Sequence, residues 1–334
     1  MTQRRIAFVT GGAGFIGSNI VARLAEDRTL DVVVCDRLHE AELGKWRNIA
    51  KHPIGDFVAP EDMMEWLEKR WRDIEIVVHM AAVSSTTEPD ADKIVQSNFM
   101  LSRDLFRWCA DRQRRLIYAS SAATYGDGTH GFDDDNDYEA LAALRPLNTY
   151  GWSKALFDLF AKRQALRDYA PPQWVGLKFF NVYGPNEEHK HSMKSVASQI
   201  WPHVRDGHAV QLFKSYREDI PDGGQKRDFV YVRDAADVTR WLLENPQVNG
   251  VYNLGSGQAR SFEDMARAVF RAAGKNAQID YTPMPPAIRD KYQYFTEARM
   301  ERLRAAGYAT PATPLEEGIA DYVGRYLSQP DPNR

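Results

Sequence analysis

Tyr150-Gly151-Trp152-Ser153-Lys154 holds a phenol and an ammonium four residues apart, a spacing that puts both on one face of a helix. A phenol with a reference pKa of about 10 is a poor base at neutral pH, and a neighbouring ammonium stabilises its phenolate. Tyr150 beside Lys154 can therefore take a proton from a substrate hydroxyl while hydride leaves the same carbon. Ser121, in Tyr118-Ala119-Ser120-Ser121-Ala122-Ala123, offers a hydroxyl at the expected tip of a strand, where it can donate to the reacting oxygen. Neither signal is specific alone. Tyr and Lys four apart occur by chance in many helices, and a serine after a strand is commonly a cap.

Hydride transfer needs a carrier, and the N-terminal segment supplies a cradle for one. Thr10-Gly11-Gly12-Ala13-Gly14-Phe15-Ile16-Gly17-Ser18 follows an apolar run and opens a helical pattern. Glycines at 11, 14 and 17 let the chain turn tightly, bring bare backbone against a pyrophosphate, and pack helix on strand. Asp36 ends the second apolar run about 20 residues further on, the position that takes adenosine ribose hydroxyls and favours NAD. Arg37 and Lys45 stand at the same rim, where two cations can hold a 2′-phosphate and favour NADP. On these residues alone NAD and NADP are nearly even. Small residues after the third apolar run, in Met80-Ala81-Ala82-Val83-Ser84, leave room for the middle of a dinucleotide.

The elements that must position these groups follow from the pattern. Ile6–Val9, Asp31–Cys35, Ile74–Val78 and Arg115–Tyr118 read as strands buried on both faces. Helical periodicity over 18–27, 61–72 and 95–112 lies between them, so the chain alternates strand and helix. That order predicts a Rossmann-type, doubly wound α/β parallel sheet with a smaller, interleaved α/β substrate domain. Residues 1–180 are expected to hold the dinucleotide, with about 229–254 returning to that domain through strands at Phe229–Val232 and Gly250–Leu254. The substrate domain is then 181–228 and 255–327, and 328–334 is expected to fray. The acidic run Asp133–Asp137 reads as a solvated loop.

Composition excludes partners rather than naming them. The chain has 334 residues, 43 Lys plus Arg against 46 Asp plus Glu, and a net charge of −3. No basic field recommends nucleic acid or an anionic membrane. Two cysteines, Cys35 and Cys109, read as buried small hydrophobes rather than a disulfide framework. No apolar stretch approaches the roughly 20 residues of a membrane span, and a cytoplasmic chain with no metal centre is expected.

The glycine loop, Ser121 and Tyr150-x-x-x-Lys154, in this order, resemble the extended short-chain dehydrogenase/reductase family. The resemblance implies Tyr150 as acid/base, Lys154 as a ligand of the nicotinamide ribose, and Ser121 as helper. Around the cofactor it implies Gly11, Gly14, Phe15, Ile16, Gly17, Asp36, Arg37, Lys45, Met80, Ala81, Ala82, Ser84, Asn98, Val182 and Lys190. Phe179-Phe180-Asn181-Val182-Tyr183-Gly184-Pro185 is similar to the segment by which nucleotide-sugar epimerases and dehydratases of this family enter the substrate domain. Its Asn181 is implied to lie near the diphosphate. Dehydratases carry Thr-Asp-Glu where this chain has Ser121-Ala122-Ala123; without the carboxylates, epimerisation or plain oxidoreduction remains.

Glu187-Glu188-His189-Lys190-His191-Ser192-Met193-Lys194-Ser195-Val196 comes next and, as a bare charge cluster, reads as a solvated loop. Together with Ser84–Glu88, Lys226–Val232 and Arg304–Tyr308, however, it closely resembles the ADP-glyceromanno-heptose 6-epimerase branch, which serves lipopolysaccharide inner-core synthesis. That resemblance implies Lys190 as a second catalytic base. It also implies contacts to ADP-heptose from Asn181, Ser192, Gln199, Phe213, Lys214, Ser215, Tyr216, Arg227 and Tyr292, a bound NADP, and a homo-oligomer, typically a pentamer. Departures are Gln199, where family members carry His, and Pro60, where they commonly carry a second Lys; residues 216–226 and 139–145 look longer than the pattern. Two other readings are open. Another nucleotide-sugar epimerase, such as a UDP-hexose 4-epimerase, would share Tyr150 without needing Lys190, and an inactive NAD(P)-sensing module would usually have lost Tyr150 or Lys154.

Overall fold

The computed structural model describes residues 5–38, 44–289 and 292–334. The first half supplies strands β1 (Arg5–Thr10), β2 (Leu30–Cys35), β3 (Asp56–Val58), β4 (Ile74–His79), β5 (Arg115–Ser121) and β6 (Trp174–Phe179). The second half supplies β7 (Asn181–Tyr183), β8 (Val210–Phe213), β9 (Lys226–Tyr231), β10 (Gly250–Leu254), β11 (Ala259–Ser261) and β12 (Ile279–Thr282). Among the described residues, seven strands form one parallel sheet in the order β10-β6-β5-β4-β1-β2-β3. The chain leaves β1 towards β2 and β3, then returns to β4 on the other side, so the order reverses between β1 and β4. A doubly wound sheet opens a crevice at the carboxyl ends of such a pair.

Alternation along each strand divides the apolar runs between two covered faces. Ala7 and Val9 of β1 pack with Ile20, Val21 and Leu24 of the helix Phe15–Leu24 and with Val238 and Leu242 of the helix Val232–Glu244. Ile6 and Phe8 face the other way, onto Leu105 and Phe106 of the helix Leu101–Asp111 and Phe157 and Ala161 of the helix Thr149–Ala165. A separate core holds the smaller unit. There Tyr183, Trp201, Phe229, Phe270, Ile319 and Tyr322 join the three-stranded sheet β11-β9-β7 to helices Val196–Asp206, Phe262–Ala272 and Leu315–Tyr322.

Three expectations are corrected. The strand at 229 does not return to the large sheet: β9 pairs with β7 and β11, and only the helix Val232–Glu244 and β10 go back. The tail does not fray. Asn333 Nδ2 donates to Asn48 Oδ1 at 2.7 Å, the Arg334 N–H donates to Asn186 Oδ1 at 2.8 Å, and Lys51 pairs with Asp331 at 2.9 Å. Hydrogen bonds rather than apolar burial hold it, so its composition carried no sign of order. The acidic run is only partly solvated. Asp134 is buried and accepts the Asn253 N–H at 2.8 Å, and the Asn136 amide exchanges two hydrogen bonds of 2.7 Å with the backbone of Val251, blunting the open edge of β10.

Two strands of the large sheet escape the apolar pattern. Asp56–Val58 is short, and Trp174–Phe179 is interrupted by Gly176 and Lys178. Gly176 is required because a Cβ there would meet the Tyr118 ring at 2.5 Å.

Asn253 closes the β10 end of the sheet. Its side chain accepts from the Tyr125 hydroxyl at 2.6 Å and donates to the carbonyls of Phe132 at 2.7 Å and Arg299 at 3.0 Å. Asn253→Ala leaves two buried polar groups and one part-buried carbonyl without this partner and is expected to cost about 2 kcal/mol, read from urea denaturation at constant m-value. A loss under about 0.5 kcal/mol would show that water replaces the amide there.

Candidate active site

A cleft of about 1290 Å³ lies over the carboxyl ends of β1, β4 and β5, floored by the glycine loop and walled by the smaller unit. Gly11 adopts φ +66°, and a Cβ there would stand 2.6 Å from the Ala81 nitrogen. At Gly17 a Cβ would stand 2.1 Å from the Gly11 carbonyl oxygen. Bare backbone is therefore obligatory at both. No side chain caps the helix Phe15–Leu24 at Gly14, so its first-turn N–H groups are left for an anion at the cleft floor. These features fit the pyrophosphate of a dinucleotide.

Gly11, Gly14, Phe15, Ile16 and Gly17 line this floor, with Met80, Ala81, Ala82 and Ser84 on the β4 side. Beneath them Thr10 Oγ1 and His79 Nδ1 are 2.6 Å apart, and His79 Nε2 is 2.9 Å from Ser102 Oγ. Burial pushes the His79 pKa down to about 3, so this ring is a neutral strut. Asn98 is fully buried in the π-helical turn Val95–Met100 and does not line the cleft. Its amide exchanges hydrogen bonds with the Val83 backbone, at 2.8 and 3.0 Å, and donates to Ser153 Oγ at 3.1 Å.

At the rim, Asp36 accepts from the Ala13 N–H at 2.9 Å, the Arg37 N–H at 2.7 Å and the Lys45 ammonium at 2.6 Å. Arg37 extends outward to Glu61. Both cations line the cleft, and both are partnered by carboxylates.

Asn148 caps the helix Thr149–Ala165, accepting the Gly151 N–H at 2.8 Å, and so aims Tyr150 and Lys154 at the tip of β5. Burial raises the Tyr150 phenol, and a hydrogen bond with Ser121 draws it back. Burial lowers the Lys154 ammonium to about 8, against the pull of Asp158, and its Nζ donates to the Ala119 carbonyl at 2.7 Å. Ser121 starts the 3-10 turn Ala122–Tyr125 and accepts the Ala123 N–H at 3.1 Å. Ser121 thus both caps this turn and lines the cleft.

Lys190 reaches the same cleft from the turn Glu188–Met193, with its ammonium 5.3 Å from the Phe15 ring centroid. Burial lowers this ammonium, and Glu187 opposes the shift. Glu187 is itself buried and accepts from the Ser195 N–H at 2.5 Å, the Ser195 hydroxyl at 2.6 Å and the Tyr322 hydroxyl at 2.9 Å. One carboxylate thus ties both ends of the Lys190 turn. His191 takes φ +50°, a region that favours glycine, so the turn carries backbone strain beside Lys190.

Asn181 and Val182 line the wall, as does Arg227. Among the described residues Asp228 makes no ion pair with Arg227; it accepts from the backbone of Ser256, Gly257 and Ala298. Arg227 is buried between two rings, 5.2 Å from the Tyr292 centroid and 5.5 Å from that of Phe262. A buried guanidinium held by aromatic faces is a receptor for an anion.

The other expected substrate residues stand behind the wall. Tyr292 and Phe213 contact it through Arg227 and one another, their rings 6.3 Å apart. Lys214, Ser215 and Tyr216 do not line the cleft; the Ser215 N–H donates to Asp222 at 2.7 Å and the Tyr216 N–H to the Tyr294 hydroxyl at 3.1 Å. Ser192 is exposed, and Gln199 closes the Lys190 turn by donating to the carbonyls of Ser192 at 3.2 Å and Lys194 at 2.7 Å. Phe229 and Phe262 line the cleft without having been singled out; Ser261 and Asp264, a capping box three apart, mark where the Phe262 helix begins. Asn48 is a further omission. Its amide donates to the Ala13 carbonyl at 2.9 Å and lies 3.2 Å from His189 Nδ1, joining the glycine loop to the Lys190 turn.

The family described as NAD dependent epimerase/dehydratase matches residues 7–255. A protein of Nitratidesulfovibrio vulgaris strain Hildenborough named ADP-L-glycero-D-manno-heptose-6-epimerase is 47% identical over 97% of this chain and 99% of its own. A Fusobacterium nucleatum protein of the same name is 44% identical over 97% and 98%. Among solved structures, the Helicobacter pylori ADP-L-glycero-D-manno-heptose-6-epimerase superposes with a TM-score of 0.79 at 29% identity, covering 97% of this chain and 96% of that one. The Thermus thermophilus UDP-glucose 4-epimerase in complex with NAD does so at 0.70 and 28%, covering 94% and 96%. With its glycine cradle, its Tyr150 and Lys154 pair and relatives along nearly its whole length, this chain belongs to the NAD dependent epimerase/dehydratase family.

Proposed function

We propose that this protein is an ADP-glyceromanno-heptose 6-epimerase. It interconverts ADP-D-glycero-β-D-manno-heptose and ADP-L-glycero-β-D-manno-heptose by transient oxidation at carbon 6, a reaction that serves lipopolysaccharide inner-core synthesis. One observation carries the reading: Tyr150 and Lys190 enter a single cleft from separate units, above one uncapped glycine cradle. Inverting a carbon through its ketone requires loss of hydrogen on one face and its return on the other, so each epimer needs its own proton acceptor and donor. Tyr150 handles the hydroxyl proton of one epimer and Lys190 that of the other. Ser121 donates to the carbonyl oxygen between the two events. Lys154 holds its charge beside Tyr150, and Arg227 anchors the substrate diphosphate. The nicotinamide, when bound, takes up and returns the hydride. No carboxylate stands beside Ser121 at positions 122 and 123, which argues against dehydration.

Tyr150→Phe and Lys190→Ala are each expected to lower epimerisation by orders of magnitude with unfolding midpoints unchanged, measured by resolving the two heptose epimers. Full activity in Lys190→Ala would remove the second base. The substrate is settled by supplying ADP-D-glycero-D-manno-heptose and UDP-glucose separately; turnover of only the UDP sugar overturns the heptose assignment. Arg227→Ala is expected to raise KM roughly 100-fold with a smaller effect on kcat, because a desolvated charge contact to the diphosphate is lost.

We take the resident dinucleotide to be NADP. Arg37 and Lys45 support this, since both line the rim where an adenosine 2′-phosphate would lie and both are held by carboxylates that a phosphate can replace or join. Chromatography of the nucleotide released on denaturing the purified protein should give NADP; NAD alone would show that Asp36 keeps its ribose role. The same reading includes a cytoplasmic homo-oligomer, pentameric by resemblance. No helix among the described residues is long and apolar enough to cross a membrane.

A further inference from the structure

Three consecutive residues at the end of β5 hold three residues one turn apart on the helix Thr149–Ala165. Ser121 bonds Tyr150, the Ala119 carbonyl accepts from Lys154 at 2.7 Å, and Ser120 Oγ donates to Asp158 at 2.7 Å. The first two contacts belong to the proton-handling site. The third reaches beneath it: Ser120 lines the cleft, whereas Asp158 does not.

Asp158 is fully buried, as is Lys178 on β6, whose ammonium lies 3.7 Å from Asp158 Oδ2. Tyr118 donates to the other carboxylate oxygen at 3.0 Å. Lys178 donates to Thr124 Oγ1 at 2.9 Å and lies 4.3 Å from the Tyr125 ring centroid; burial lowers its ammonium and raises the Asp158 carboxyl, and each charge opposes the other's shift. Lys154 forms no ion pair within 4.0 Å among the described residues, and Asp158, one turn along the same helix, is the carboxylate whose charge opposes its lowering by burial. Two buried ammonium groups thus share one carboxylate, and Lys178 has the closer claim.

We propose that Asp158 and Lys178 are positioning residues for the reaction: Asp158 sustains the charge of Lys154 beside Tyr150, and Lys178 limits how much of that carboxylate Lys154 receives. Neither touches substrate or cofactor; both act through Lys154. The other titratable groups facing the cluster do not supply this control. His79, beside Lys154, is neutral, with its pKa pushed down to about 3 by burial; Tyr118 and Tyr125 are raised well above the usual phenol range by burial; Asp134 acts on Lys178 and not on Lys154. Burial brings Lys154 to about 8, so its charge, and with it the support of a Tyr150 phenolate, is lost as pH rises through that value.

The inference rests on the Tyr150 and Lys154 reading, and the experiment separates the two. Epimerisation is followed against pH in the wild type, Asp158→Asn and Lys178→Met, and the Lys154 ammonium is titrated independently by nitrogen-15 NMR of labelled lysines, assigned with Lys154→Met. Removing the carboxylate should lower the Lys154 midpoint and the alkaline limb of kcat/KM by about one pH unit; removing the second cation should raise both by about as much. Shifts of opposite sign are the expected result, because a packing defect common to the two variants would move both midpoints the same way. Unmoved midpoints, or shifts of the same sign, overturn the proposal. Should Asp158→Asn fail to fold, Lys178→Met and Lys178→Arg decide it: the first must shift upward and the second must restore the wild-type limb. Persistent activity in Tyr150→Phe would defeat the underlying reading whatever the midpoints do.

Discussion

The close passage of the chain at Gly11 over Ala81 is the constraint on which the rest depends. β1 and β4 are neighbours in the sheet but far apart in sequence, and the Met80 N–H donates to the Thr10 carbonyl at 3.0 Å just where the two strands end. A methyl group at residue 11 would collide with that backbone, so the turn can form only with glycine. Because it forms, the helix Phe15–Leu24 starts directly above the sheet with its N-terminus bare, and the order of strands reverses at the same place. Anion site and crevice are two consequences of one backbone approach.

Around that approach the site is built from buried cations. Lys154, Lys190 and Arg227 all reach the cleft, in a chain whose net charge is −3. Placing an ammonium or guanidinium out of water is costly unless another charge or a polarisable face compensates. Each is handled differently here: Lys154 by a carbonyl and a carboxylate one turn away, Lys190 by the Phe15 face and Glu187, Arg227 by the Tyr292 and Phe262 rings. Partial compensation is the common feature. It leaves the two lysines with lowered proton affinity, and Arg227 bonded to the Lys226 carbonyl at 2.9 Å with no carboxylate partner among the described residues.

What could be read from the sequence follows from which interactions are local. β1, β2, β4 and β5 announce themselves because both their faces are buried and their apolar runs are continuous. Tyr150 and Lys154 were legible because helical spacing fixes their relation within one turn. β6 was not, since Lys178 faces Asp158 on another element and Gly176 answers the Tyr118 ring. Nor does spacing show what holds the 213–216 segment: the backbone N–H groups of Ser215 and Tyr216 are taken by Asp222 and Tyr294, partners that only the folded chain brings near. Lys190 is the instructive case. A solvated charge cluster was its bland reading, and what overrules it is Glu187, which fastens the turn at Ser195 and Tyr322 and so converts a polar loop into a fixed arm.

That arm has to keep its place relative to a cradle in the other unit, and apolar packing between the two cannot do this by itself, because greasy contacts tolerate sliding while hydrogen bonds fix direction. The polar seam at Asn48 and Asn186 supplies the direction. Asn48 holds the Ala13 carbonyl in the glycine loop and faces His189 next to Lys190, and Asn186, at φ +74°, donates to Ser18 Oγ in the first helix at 3.0 Å. Asn333 then donates to Asn48 from the tail, so the last residues of the chain brace the junction between cradle and arm. These amides are buried and committed on several sides, which makes any relative shift of the two units break more than one hydrogen bond at once. Tyr150 and Lys190 are thereby held in a fixed relation across the cleft, as chemistry that used both at one carbon would require.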